Sequence, residues 1–225
     1  MRARILSGIF KILYAILARL EVSGVENIPV NKAYIIATNH MSYLDPPLLY
    51  SLLGQYNIAG FVADKYRKNL ILGTIVRIAD PVFVRRGSVD RQALNAAVQI
   101  LQSGQPFGMA PEGTRSKNSS LNRGKSGIAL LAELSKAPIV LAAITGTDKA
   151  VRELLRLRRP RLTIQFAPLF NLPALDAHDR SKSLRRNADE VMCRLAAMLP
   201  ESYRGFYADH PRLGEFLPQY SSLRE

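Results

Sequence analysis

His40 and Asp45 stand five positions apart in the run Thr38-Asn39-His40-Met41-Ser42-Tyr43-Leu44-Asp45-Pro46-Pro47. A carboxylate that accepts the Nδ1 proton of an imidazole leaves Nε2 as a base that can take a proton from a hydroxyl. Within one continuous helix, residues five apart diverge by roughly 140°. The two can therefore meet only if Met41 to Leu44 form a turn. Ala33-Tyr34-Ile35-Ile36-Ala37 reads as a buried strand. Asp45-Pro46, followed by Leu48, Leu49, Leu52 and Leu53, reads as an N-cap, a proline at the first helical position and a helix. The prolines block earlier helix propagation, which favours the turn. By local spacing alone, a histidine at a strand end and an aspartate before Pro-Pro also fit purely structural roles.

Two further strand ends carry polar groups. Pro111-Glu112-Gly113-Thr114-Arg115 follows the short apolar run Phe107-Gly108-Met109-Ala110. A glycine, a hydroxyl and a guanidinium in one loop suit a phosphate or another tetrahedral anion. The plainer reading is a surface turn with an exposed Glu112–Arg115 pair. Arg86, or its neighbour Arg85, ends the run Val82-Phe83-Val84 and can clamp the same anion or simply be solvated. In sheets of alternating strands and helices, ligands gather at such carboxyl ends.

The elements that must position these groups follow from periodicity. Asn57–Ala63, Val82–Val84, Phe107–Ala110, Pro138–Ile144 and Leu162–Phe166 read as strands. Helices are expected over residues 64–79, from a Ser88 cap to Gln102, over Lys125–Lys136 and over about Arg180–Met198. Short apolar strands alternating with helices define an α/β fold, with a mixed, mostly parallel sheet flanked by helices. Residues 4–20 are amphipathic. Ile5, Leu6, Ile9, Phe10, Ile12, Leu13, Ile16, Leu17 and Leu20 share one broad face, and Arg4, Ser7, Lys11, Ala15 and Ala18 lie opposite. Lys11 interrupts any spanning segment, and no cleavage site for a signal peptide follows. An in-plane membrane anchor fits, with packing on the domain's own core as the alternative. Three regions result: an N-terminal amphipathic helix over 1–21, an α/β domain over 22–200 and a partly loose tail over 201–225.

Composition narrows the partners. With 31 Lys+Arg against 18 Asp+Glu, the net charge is +13, which favours polyanions. No zinc-finger spacing, aromatic RNA-binding signature or helix-turn-helix is present, so nucleic acid is not expected. The one cysteine, Cys193, excludes a disulfide framework and a multi-Cys metal site, and reads as a small core residue. Three histidines without a His-x-x-x-His pairing make a metal unexpected.

Asn39-His40-x4-Asp45, Phe83-Val84-Arg85-Arg86, Pro111-Glu112-Gly113-Thr114-Arg115 and Pro138-Ile139-Val140 resemble, in order, the four motif blocks of the glycerolipid acyltransferase family. The family includes bacterial 1-acyl-sn-glycerol-3-phosphate acyltransferases. The resemblance runs from about Val22 to Gly146 and includes the helix start Lys125-Ser126-Gly127. Ala110 stands where the family usually has Phe, Leu141 where a second Pro commonly follows, and Arg85 where an acidic residue is frequent. The first two are expected at the pocket walls.

The resemblance implies that His40, oriented by Asp45, deprotonates the hydroxyl of a lysophospholipid. The alkoxide then attacks an acyl thioester of coenzyme A or acyl carrier protein, giving phosphatidic acid in phospholipid biosynthesis. Arg86 and Arg115, with Glu112, Gly113 and Thr114, would bind the acceptor. Glu112 would brace the loop or touch the acceptor, and Asn39 and Ser42 would hold the turn. No cofactor or metal is implied, and the expected place is the cytoplasmic face of a membrane. The alternatives are the same chemistry on glycerol-3-phosphate, another lysophospholipid or an amino-acid lipid, or a non-catalytic basic protein bound to membrane or nucleic acid.

Overall fold

The computed structural model describes residues 2–67, 69, 73, 77, 78, 81–85 and 90–223. Half of the helix expected over 64–79 lies outside the described residues, as do Arg86 and Ser88.

Seven strands are described: β1 (Arg19–Ser23), β2 (Ile35–Thr38), β3 (Ala59–Ala63), β4 (Val82–Val84), β5 (Phe107–Met109), β6 (Ile139–Thr145) and β7 (Arg161–Phe166). They form one sheet in the order β1-β7-β6-β2-β5-β3-β4. Every neighbouring pair is parallel except β6 with β7. The mixed, mostly parallel α/β sheet expected from the sequence is borne out.

Both faces of the sheet are covered, which is why its central strands β2 and β6 are apolar up to their terminal threonines, Thr38 and Thr145. Along β2 and β6, successive side chains alternate between two cores. Ile35, Ala37, Ile139, Leu141 and Ala143 pack with helices α3 (Arg91–Gln102), α4 (Gly127–Ser135) and α6 (Arg180–Met198). Ile36, Val140, Ala142 and Ile144 pack with α1 (Arg2–Leu17) and α2 (Asp45–Leu53). Burying each of these branched side chains is worth about 1.5–3 kcal/mol.

Several local expectations change. Asp90, rather than Ser88, caps α3: its side chain accepts the Ala93 N–H, and its backbone is extended. A further helix, α5 (Thr147–Leu155), occupies the basic segment after β6, where no helix was expected. Its only buried residues are Thr147 and Ala150, so almost no apolar periodicity advertises it. The tail is packed rather than loose. Tyr207, Leu213, Phe216 and Tyr220 join the core against α6, and the Tyr207 hydroxyl accepts the Gly124 N–H and donates to Asp189.

The first helix also turns out differently. It ends at Leu17, because Leu20 belongs to β1. The face against the domain consists of Leu6, Ser7 and Tyr14, with Ala18 just beyond, so the supposed polar side is partly the buried one. The Ser7 hydroxyl donates to the Ser51 carbonyl, and small residues permit this close approach. A Cβ added at Gly54 would come within 2.8 Å of the Ser7 Cβ. Ile5, Ile9, Ile12, Leu13 and Ile16 are left exposed in a row. Among the described residues, no helix is long and apolar enough to cross a membrane.

Candidate active site

β2 ends at Thr38, and the chain turns through residues 41–44 before α2 begins. That turn brings His40 and Asp45 together, with Nδ1 3.0 Å from Oδ2. The same Oδ2 accepts the backbone N–H groups of Met41 and Ser42, both at 2.7 Å. Asp45 was expected to cap its own helix; instead it faces back and ties down the turn that precedes it. Leu44 is the N-cap and makes no side-chain cap bond. Oδ1 accepts the Thr147 hydroxyl at 2.5 Å.

A carboxylate can only accept, so Nδ1 of His40 donates and Nε2 keeps its lone pair. The imidazole is 17% exposed, whereas Asp45 is buried. Both line a cavity of about 350 Å³. The cavity is walled by Leu49, Tyr50, Ile58, Phe61, Val84 and Met109, an apolar slot with a base at its polar end. Paired Gly60 and Gly108 of β3 and β5 also line it. A Cβ at Gly60 would stand 3.0 Å from the Gly108 carbonyl oxygen, a tight approach that the bare Gly60 backbone relieves.

The backbone of His40 is fixed from the loop after β5. Its N–H donates to Glu112 Oε1 at 3.1 Å, and its carbonyl accepts the Ser116 N–H at 2.8 Å. Glu112 Oε2 accepts the backbone N–H and the side-chain amide of Asn122. Burial pushes the Glu112 carboxyl above its usual range, and the donated N–H groups of Asn122 and His40 oppose that rise. Glu112 is 1% exposed and does not line the cavity. Of the two roles expected of it, these hydrogen bonds match the brace: it ties His40 to the 112–122 loop.

Asn39 likewise holds more than the turn. It staples β2 to β6, donating to the Ile144 carbonyl and accepting the Ile144 N–H. Ser42 does hold the turn, its hydroxyl accepting the Leu44 N–H.

Gly113 and Thr114 line the cavity. Gly113 has φ +69°, and its N–H closes a turn onto the Ala110 carbonyl. Arg115 is not among the residues lining the cavity; its guanidinium carbon stands 3.7 Å from the centre of the Tyr43 ring. Arg86 falls outside the described residues, but Arg85 lines the cavity, with its N–H bonded to Asp90. Ala110 is at the wall as expected; Leu141 is not, being fully buried in the core against α3, α4 and α6.

Sequence reasoning passed over two residues. Lys125 lines the cavity, its side chain lying 3.1 Å from where a Cβ on Gly113 would sit. Thr147 begins the unexpected α5 and completes the hydrogen bonds of Asp45. The tail steadies that helix start, because the Tyr203 hydroxyl donates to Asp148 and accepts the Gly146 N–H. A Gly-Thr following a fully apolar strand was the available signal for Thr147, but its partner lies 102 positions away.

An imidazole with one nitrogen held by a carboxylate, in a ring that lines an apolar slot together with Arg85 and Lys125, is the equipment of general-base transfer to a hydroxyl. The acyltransferase family model matches residues 19–145, more than half of the chain. The chain belongs to the acyltransferase family, and the resemblance drawn from the motif blocks is borne out.

Among its relatives is the probable 1-acyl-sn-glycerol-3-phosphate acyltransferase of Mycoplasma pneumoniae, 28% identical over 170 residues. That match covers 72% of this chain and 64% of the relative, so the chain spans slightly under two thirds of that protein's length. The 1-acyl-sn-glycerol-3-phosphate acyltransferase of Bacillus subtilis is 25% identical over 155 residues, covering 68% of this chain and 76% of its own. The crystal structure of the 1-acyl-sn-glycerophosphate acyltransferase of Thermotoga maritima shares the fold. Its TM-score is 0.66 at 23% identity, over 84% of this chain and 76% of that one.

Proposed function

We propose that this acyltransferase moves an acyl group from a thioester, carried by coenzyme A or acyl carrier protein, to the free hydroxyl of 1-acyl-sn-glycerol-3-phosphate, giving phosphatidic acid. The observation that carries the reading is the His40–Asp45 contact opening onto the apolar cavity. The names of the Mycoplasma and Bacillus relatives support the choice of acceptor.

In the first step, Nε2 of His40 takes the hydroxyl proton as the oxygen attacks the thioester carbonyl. Collapse of the tetrahedral intermediate breaks the carbon–sulfur bond, and the thiolate leaves with the proton returned by the imidazolium. Asp45 holds the ring and stabilises its charged form. Arg115 and the Arg85-Arg86 pair, joined by Lys125, bind the acceptor phosphate and so position the hydroxyl over His40. The apolar slot takes an acyl chain. The transfer balances without metal or cofactor.

The reading includes attachment to a membrane through α1. The exposed row from Ile5 to Ile16 supports it, lying opposite the buried Leu6, Ser7 and Tyr14. Such a helix rests in the interfacial plane with its apolar row toward the acyl chains, on the cytoplasmic side where thioesters are made.

The test is thiol release by the purified full chain from acyl-coenzyme A and from acyl carrier protein, with and without lysophosphatidic acid. Phosphatidic acid is followed by mass spectrometry. Acceptor-dependent thiol release that disappears in His40→Ala is expected. Equal release by the wild type and His40→Ala would overturn the proposal. Across a panel of lysolipids, Arg115→Ala should raise KM for phosphorylated acceptors only.

A further inference from the structure

We infer that the tip between α5 and β7, residues 155–159, is a second lipid contact that binds an anionic bilayer surface beside the mouth of the active site. Leu155 is 82% exposed and Leu157 97% exposed, the latter held at φ +57° by the turn that closes α5. Isolated exposed leucines are ordinary, but these two alternate with Arg156, Arg158 and Arg159 on one projecting loop. The nearby carboxylates neutralise little of this charge. Glu153 lies 3.9 Å from Arg156, and Glu21 pairs with Arg161 below the tip. Asp148 is engaged by Tyr203.

Topology decides where the tip sits. β7 runs antiparallel to β6, so its first residues lie at the carboxyl end of β6, with Thr163 opposite Thr145. β6 is parallel to β2, whose carboxyl end carries His40. The tip is therefore at the same edge of the sheet as the catalytic turn. Arg159 ties it to the end of α1, donating to the Ala15 and Ala18 carbonyls at 2.7 and 2.8 Å. Within α1, the Tyr14 hydroxyl donates to the Leu44 carbonyl, in the turn between His40 and Asp45. The exposed isoleucine row, the basic tip and the catalytic turn thus occupy adjoining ground.

Leucines flanked by guanidinium groups, continuous with an apolar helix row, have the chemistry of an interfacial element. The side-chain tips enter the acyl boundary while the arginines meet lipid phosphates. That continuity favours a bilayer over an acidic protein as the occupant. The inference rests on the membrane reading of α1, and the experiment separates the two.

The chain contains no tryptophan, so a single introduced one reports its own surroundings. Leu157→Trp and, separately, Ile12→Trp are mixed with vesicles of phosphatidylcholine alone and of phosphatidylcholine with phosphatidylglycerol. A blue shift and quenching by brominated lipid are expected at both positions, with the signal at 157 requiring phosphatidylglycerol. In flotation with the anionic vesicles, Arg156→Gln/Arg158→Gln should weaken binding by roughly thirtyfold, at about 1 kcal/mol per arginine. Thermal unfolding checks that the variants are folded. A shift at position 12 without one at 157 overturns the second contact and leaves the α1 anchor standing. Silence at both positions overturns both. An unshifted 157 that responds to acyl carrier protein instead assigns the tip to a protein partner and overturns the lipid reading.

Discussion

Two imidazoles in this molecule sit beside polar partners, and their surroundings set opposite fates. At His40 the partner is a carboxylate, which only accepts, so Nδ1 donates and Nε2 is left with its lone pair, in a ring that lines the cavity. At His210, Nδ1 itself accepts the Arg212 N–H at 3.2 Å and lies 3.2 Å from Cys193 Sγ. The ring is stacked 5.4 Å from Tyr207, and it does not line the cavity. Burial pushes the Cys193 thiol up to about 12, so the thiol keeps its proton at neutral pH. The difference shows that an imidazole becomes a usable base through which nitrogen its partner occupies and what the other one faces. Proximity to a polar group does not suffice.

The comparison breaks first at the rings themselves. His40→Ala should lower acyl transfer by about 10³-fold with the fold retained. His210→Ala should leave acyl transfer unchanged and lower the unfolding midpoint by a few degrees, in the range of about 1 kcal/mol. Rate assays and thermal melts on both variants check this; equal activities would erase the distinction.

Asp45→Asn comes next. Oδ2 meets three donors and Oδ1 a fourth, so an amide NH₂ opposes a donor whichever way it turns. A loss of roughly 10²-fold in kcat and about 2–3 kcal/mol of stability is expected. The equivalent insult at Asp189, remote from the cavity, should reduce stability alone.

Thr147→Val removes one donor from Asp45 and should cost roughly tenfold in kcat and about 1 kcal/mol, with KM little changed. Thr147→Ser should restore both, which simple loss of packing would not predict.

The smallest effect concerns Cys193. Its folded thiol titrates near 12 against 9.0 unfolded, so the folded state keeps its proton longer. The thiol's contribution to stability is thus whole below about 9 and fades as pH climbs toward 12. Near neutral pH, alkylation by iodoacetamide should follow global unfolding, as mass spectrometry across a denaturant series can show.

The tertiary network also explains which expectations changed. Glu112 belongs to a motif loop that looks exposed in sequence, yet Asn122, ten residues on, folds back and buries it. The small residues Ser7 and Ala18 fell on the supposed polar side of α1, but Gly54 invites just such residues into contact. Helix α5 was invisible because it has so few buried positions, and its start is secured by Tyr203 from the far tail.

Strand alternation and apolar periodicity, the turn favoured by Pro46 and Pro47, and the polar ends of three strands are local properties, so the chain's order of residues determined the α/β sheet and made the meeting of His40 with Asp45 possible. Hydrogen bonds across 72, 102 and 105 positions are not local. The tertiary structure alone decided that Glu112 links His40 to Asn122, that Thr147 completes Asp45, that Lys125 lines the cavity, and that the basic tip stands at the same sheet edge as the catalytic turn. The reason is physical: covalent neighbours fix which conformations a segment can adopt, whereas the partner of a buried donor is chosen only when the sheet has assembled.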